Sequence, residues 1–133
     1  MHQYDVWLDL QCEINSSLQA VCTLFAKMTF PVRPMVGESL TFWSAKDSNM
    51  QFSIVSVVGV MLVHYASTEI DNIAHHVSPV ESGSEMRTSI RCVPIHVASM
   101  NDAKVLVALL TEQYGFELDP YGVNKLAVAQ SAA

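Results

Sequence analysis

Histidines and carboxylates come together most densely between residues 67 and 84, where Glu69, Asp71, His75, His76 and Glu81 stand within one short stretch. Histidine titrates near neutrality and is the commonest metal ligand. His75 or His76, with a carboxylate from Glu69, Asp71 or Glu81, could therefore serve as a general base or hold a small ligand. Adjacent side chains of an extended chain point to opposite sides, so both imidazoles meet one metal only in a special loop geometry. No His-x-x-x-His or Cys-x-x-Cys spacing accompanies them. We expect no metal and no cofactor. Residues 67–84 read as a long connecting loop, and loops of more than about 12–15 residues are usually functional or disordered.

Other reactive pairs fail on spacing. Cys92 and His96 are four residues apart, about 13 Å along a strand, whereas a nucleophile and its base need about 3 Å. A hairpin centred on residues 75–77 would set Ser56 opposite His96 and keep His64 well away from it. Ser82, Gly83 and Ser84 lack the strand-turn-helix context of a nucleophile elbow. The five glycines are scattered singly, so no phosphate loop exists. Glu38, beside Gly37, reads as turn chemistry.

Charge and composition exclude more than they identify. Seven basic residues against thirteen acidic ones give a net charge of −6, and no three basic residues cluster. Without a basic footprint, nucleic acid is not an expected partner. Residues 48–68 carry no charge, but their unbroken apolar part is only 57–63, far short of the roughly 18 residues of a membrane helix. No export signal opens the chain. The three cysteines, Cys12, Cys22 and Cys92, lie singly in apolar stretches and suit a reducing, cytoplasmic setting. Only 15% of the 133 residues are charged, against roughly 25% in an average domain. A surface so poor in charge implies cover by another chain, most simply in a homodimer.

The elements that must position these residues follow from periodicity. Residues 4–14 alternate cleanly, with Val6, Leu8, Leu10, Cys12 and Ile14 on one face. Residues 18–30 repeat the pattern, and a three-residue loop at 15–17 would set Ile14 opposite Leu18. A helix over 16–28 competes, with a capping-box-like start, but Val21, Thr23, Phe25 and Thr29 favour extended chain. Trp7 and Phe25 then share the polar face as an exposed aromatic pair, the kind of patch that marks an interface or a ligand groove.

Pro31, Pro34 and Gly37 turn the chain into a strand at 39–43. A long strand over 51–66 follows, bent at Gly59. Residues 86–97 form another, whose apolar parity switches around Pro94, as in a bulged edge strand. One helix is well marked, with Ser99 or Asn101 as cap, Asp102 in its first turn, Ala103, Leu106, Val107, Leu110 and Tyr114 as apolar face, and Gly115 at its end. Residues 123–133 read as a fraying tail.

The expected architecture is one α+β domain over 1–133, with about five mostly antiparallel strands forming a curled sheet or partly open barrel and one C-terminal helix packed on it. The leading functional expectation is a non-enzymatic binding or interaction domain that self-associates through apolar sheet surface at Trp7 and Phe25. A small ligand-binding protein or hydrolytic enzyme with its site under 67–84 is the alternative. An acidic inhibitor of a basic partner protein is a third class, consistent with the net charge.

Overall fold

The computed structural model describes residues 2–44, 51–56, 59–63, 65–81 and 83–126. The chain opens with a long antiparallel hairpin, β1 (His2–Ile14) and β2 (Ser17–Phe30). From Ser17 onward the stretch at 16–28 is strand rather than helix, as its β-branched and aromatic residues required. Asn15 and Ser16 make the turn with φ of 52° and 66°, a left-handed pair that matches the twist of the flanking strands. The turn therefore has two residues rather than three, and Ile14 faces Ser17. A bulge at Val21 absorbs the one-residue difference, so that Leu10 faces Cys22 and Leu8 faces Leu24. Two residues of β2 then oppose one of β1, and Val21 and Cys22 are both buried.

Seven further strands follow the hairpin among the described residues: β3 (Ser39–Trp43), β4 (Phe52–Ser56), β5 (Gly59–Val63), β6 (Tyr65–Val80), β7 (Gly83–Cys92), β8 (Ile95–Val97) and, after the helix α1 (Met100–Tyr114), β9 (Glu117–Leu118). β1 lies at the centre of one curled sheet. β2 flanks it on one side, while β7 and then β8 run parallel to it on the other. Between β7 and β8 the sheet divides, β7 leading to β6 and β3 and β8 leading to β4 and β5. Val93 and Pro94 occupy the division. Val93 N donates to Glu69 O on one branch and Ala98 N donates to Ser53 O on the other. The result is the expected mixed α+β class, a half-barrel with one helix against it, built from more strands than the sequence suggested.

Four expectations need correction. The apolar run over 51–66 is not one strand, because β4 and β5 pair antiparallel from Phe52↔Val63 to Ser56↔Gly59. The unbroken apolar sequence over 57–63 has no period-2 alternation to betray the reversal between β4 and β5. His64 and residues 57–58 lie outside the described residues. The long loop at 67–84 is instead most of β6 and the start of β7, paired down to Val80↔Gly83. That register also removes the hairpin centre at 75–77. The 86–97 strand is interior, not an edge, although its parity switch at Val93–Pro94 is present. Finally, of the expected tail at 123–133, residues 123–126 are docked, with Lys125 N donating to Val21 O and Leu126 buried in the core, while 127–133 lie outside the described residues.

The inner face of the curl is the core. Val6, Leu8, Leu10 and Cys12 of β1, Leu24 and Ala26 of β2, Ile90 and Cys92 of β7, and Ile95 and Val97 of β8 are all buried there. α1 covers them with Ala103, Leu106, Leu109 and Leu110. Ser99 caps the helix by accepting from Asp102 N at 3.1 Å, and Gly115 ends it at φ 72°. Phe42 of β3 packs edge-on against Tyr114 and Phe116, and the Tyr114 hydroxyl donates to Trp43 O.

Candidate functional site

Past Ile70 β6 pairs with β7 alone, β7 stays paired with β1 as far as Ser89, and beyond Ala74 and Ser89 the two run on as a two-stranded ribbon. The departure begins at a bulge: Ile70 faces Cys92, Asn72 faces Arg91, and Asp71 is the extra residue. The bulge reverses the parity of β6. Ala66, Thr68 and Ile70 point into the core before it, and Ile73, His75 and Val77 continue that inner face after it. Thr68 is the buried polar residue of this region, and its hydroxyl donates to Val93 O at 2.6 Å.

The two faces of the ribbon differ sharply. On the inner face Ile73 pairs with Ile90, His75 with Thr88, Val77 with Met86 and Pro79 with Ser84, and none of these residues carries a formal charge. Ile90 is fully buried, but Val77 and Met86 are 63% and 65% exposed. The 31–38 connection crosses beside them. Arg33 and Pro34 face Tyr4, Ile73, His75, Met86 and Thr88 across an open cleft of about 570 Å³. The same connection is tied down at its far end by Gly37 N donating to Ile70 O and Ile70 N donating to Glu38 O. Glu38 also accepts from Met35 N, the turn role expected of it.

The outer face is charged and internally paired. Arg91 donates twice to Asp9, at 3.2 Å from both Nε and Nη2, and Thr23 donates to the same carboxylate at 2.7 Å. The Arg91 guanidinium lies 5.9 Å from the Trp7 ring centre. Arg87 stands 3.6 Å from Asp5. Trp7 and Phe25 are direct cross-strand partners with ring centres 5.0 Å apart. They are half-buried, and their own chain's arginine occupies the indole.

The sequence-based candidates scatter over this frame. His75 hydrogen-bonds Thr88 at 2.8 Å on the inner face, and His76 bonds Ser89 at 2.8 Å on the outer one. Their imidazoles thus meet hydroxyls of β7 rather than Glu69, Asp71 or Glu81. Glu69 lies opposite Ser39 at the β3 edge, Asp71 forms the bulge, and Glu81 sits at the ribbon's tip. Among the described residues no group of three or more histidine, cysteine or acidic side chains is arranged to hold a metal. Sequence reasoning missed Val77 and Met86, whose signal was obscured by the parity reversal at Asp71.

The thiols are not poised for nucleophilic work. All three cysteines are buried and free. Burial, with Asp9 adding to it, pushes Cys22 up to about 12 and Cys92 up to about 11. Cys12 is also raised, by burial first and then by Asp102 and Glu13. Reactive cysteines sit in environments that favour the thiolate, and these oppose it. Among the described residues no helix is long and apolar enough to cross a membrane. No family model, no curated protein and no solved structure matches this chain.

Proposed function

We propose that this chain is a non-enzymatic interaction domain that self-associates through the β6–β7 ribbon, in a reducing, cytoplasmic setting. The observation that carries the reading is the Val77–Met86 pair, two apolar side chains about two-thirds exposed on a ribbon face whose own residues carry no formal charge, with Arg33 of the 31–38 connection at its border. Interface cores are depleted in charge, and Met adapts readily to a partner's shape. A two-stranded ribbon alone is at best marginally stable in water, so a partner that covers it contributes to holding it. Free, buried thiols suit a reducing compartment. The Trp7–Phe25 face is a poorer contact surface, because its charges are already paired within the chain.

The test replaces residues 76–87 by Asn-Gly, which closes the ribbon at His75 and Thr88 while leaving every core residue in place. Light scattering should give a dimer for the full chain and a monomer for the shortened one, with unchanged near-UV circular dichroism. A full chain that stays monomeric at high concentration, or a shortened chain that keeps the dimer mass, would overturn the proposal.

A further inference from the structure

We infer that the free edge of β6 is the self-pairing surface, and that two copies join by antiparallel pairing of residues 73–77 around a two-fold axis at His75. The inference rests on the proposed self-association and specifies its geometry.

The outer edge of β6 is covered only in part. β3 pairs with it from Tyr65 to Glu69, and Gly37 and Glu38 satisfy Ile70. Beyond Ile70, among the described residues, no backbone hydrogen bond reaches this edge. A row of unpaired N–H and C=O groups is a template for another strand, and natural proteins usually guard such rows with charges, bulges or prolines. Here the guards stand only at the limits. Asp71 bulges at one end and Pro79 lacks an N–H at the other, while residues 72–80 carry no formal charge in a chain of net charge −6. Within residues 72–80, pairing this strand with itself therefore places no like charges together, and Arg33 of the 31–38 connection stands across the cleft from the axis residue.

The register follows from the side chains. An axis at His75 sets Ile73 opposite the second copy's Val77, and Ala74 opposite its His76, so apolar groups of the inner face meet across the junction. Moving the axis to His76 would set Ile73 against Pro79 and Val77 against His75, a poorer match. A closed two-fold contact of this kind is isologous, with the same strand contributed by both subunits. It extends the inner face into four strands, two from each copy, with Val77 and Met86 of both on one uncharged surface.

The experiment is cross-linking at the axis. In His75→Cys the two new thiols face each other with Cα atoms about 4.5–5.5 Å apart, within the span a disulfide bridges. In the control Ser78→Cys the corresponding Cα atoms are six residues apart along the strand, about 20 Å. Both sites are exposed, and the native thiols are buried. Mild oxidation should give a covalent dimer of His75→Cys and leave Ser78→Cys uncrosslinked. His75→Lys, which opposes two ammonium groups at the axis, should raise the dimer dissociation constant about tenfold or more. A dimer by light scattering that fails to cross-link at position 75, or cross-links equally at 78, overturns the edge pairing and leaves self-association standing. A monomer by light scattering overturns both.

Discussion

Two long hairpins of similar build meet different fates in this molecule. β1–β2 is covered on its inner face by α1 and along part of its outer edge by β9 and residues 124–125. β6–β7 shares the sheet with β1 as far as Ala74 and Ser89, then runs on with its inner face open. Both carry a bulge that realigns side chains, Val21 in the first hairpin and Asp71 in the second. What separates them is what lies over the inner face beyond the bulge. In the first hairpin the realigned residues enter the core. In the second, Val77 and Met86 stay exposed, which teaches that one sheet can supply both the scaffold of the core and the surface on which the proposed contact rests.

The largest effect expected from this contrast is on stability. Leu8 is fully buried and Met86 is 65% exposed. Leu8→Ala should cost about 2–5 kcal/mol, the range for buried leucines truncated in a core. Met86→Ala should stay within about 0.5 kcal/mol when measured on dilute protein. Urea denaturation of both variants, followed by far-UV circular dichroism, makes the comparison. A loss at Met86 comparable to that at Leu8 would mean that the ribbon is part of the core.

A smaller effect is expected in alkali. Burial holds the Cys22 and Cys92 thiols up at about 12 and about 11, from an ordinary value of 9.0. The folded chain therefore retains protons that the unfolded chain releases. Their contribution to stability is whole below the ordinary value and is lost as pH rises through the folded values. The urea midpoint of the wild type should fall between about pH 9 and 11. In the double variant Cys22→Ala, Cys92→Ala the fall should be shallower. Identical slopes would remove the cysteines from the account.

The first hairpin and the helix were legible because each presents one solvated and one buried face. The clean alternation of Val6, Leu8 and Leu10, and the Ser99 and Gly115 signals around α1, survive translation into structure almost unchanged. The ribbon was illegible for the opposite reason. Residues 75–81 are solvated on both faces, so no selection for a buried face writes a period into them, and the bulge at Asp71 breaks what alternation Ala66, Thr68 and Ile70 begin. Glu, Asp, Asn and Pro are also depleted in strands, which makes Glu69, Asp71, Asn72 and Pro79 read as loop. The outer-face ion pairs Asp5–Arg87 and Asp9–Arg91 were beyond reach because each joins residues 82 apart. Half-exposed pairs of this kind contribute little to stability and leave little trace in local pattern. The opposed histidines were readable from strand geometry alone. Their hydroxyl partners were not, since the register that supplies Thr88 and Ser89 depends on a turn at Glu81 that the loop reading had erased.

The smallest expected effect sharpens the comparison at the turns. The first hairpin reverses through two residues other than glycine at positive φ, whereas the ribbon already places Gly83 at φ 135° beside its turn. Left-handed backbone costs a residue with a side chain about 1–2 kcal/mol, and glycine relieves that at an entropic cost of about 0.5–1 kcal/mol. Ser16→Gly should therefore stabilise the fold by about 0.5–1 kcal/mol, read as a higher urea midpoint. Asn-Gly is also the sequence such a turn favours, so the register from Ile14↔Ser17 should persist. The variant changes nothing on the ribbon, and its mass by light scattering should equal that of the wild type. A change in association upon mutating the opposite hairpin would show that the two hairpins are coupled, and the division into scaffold and contact surface would then fail.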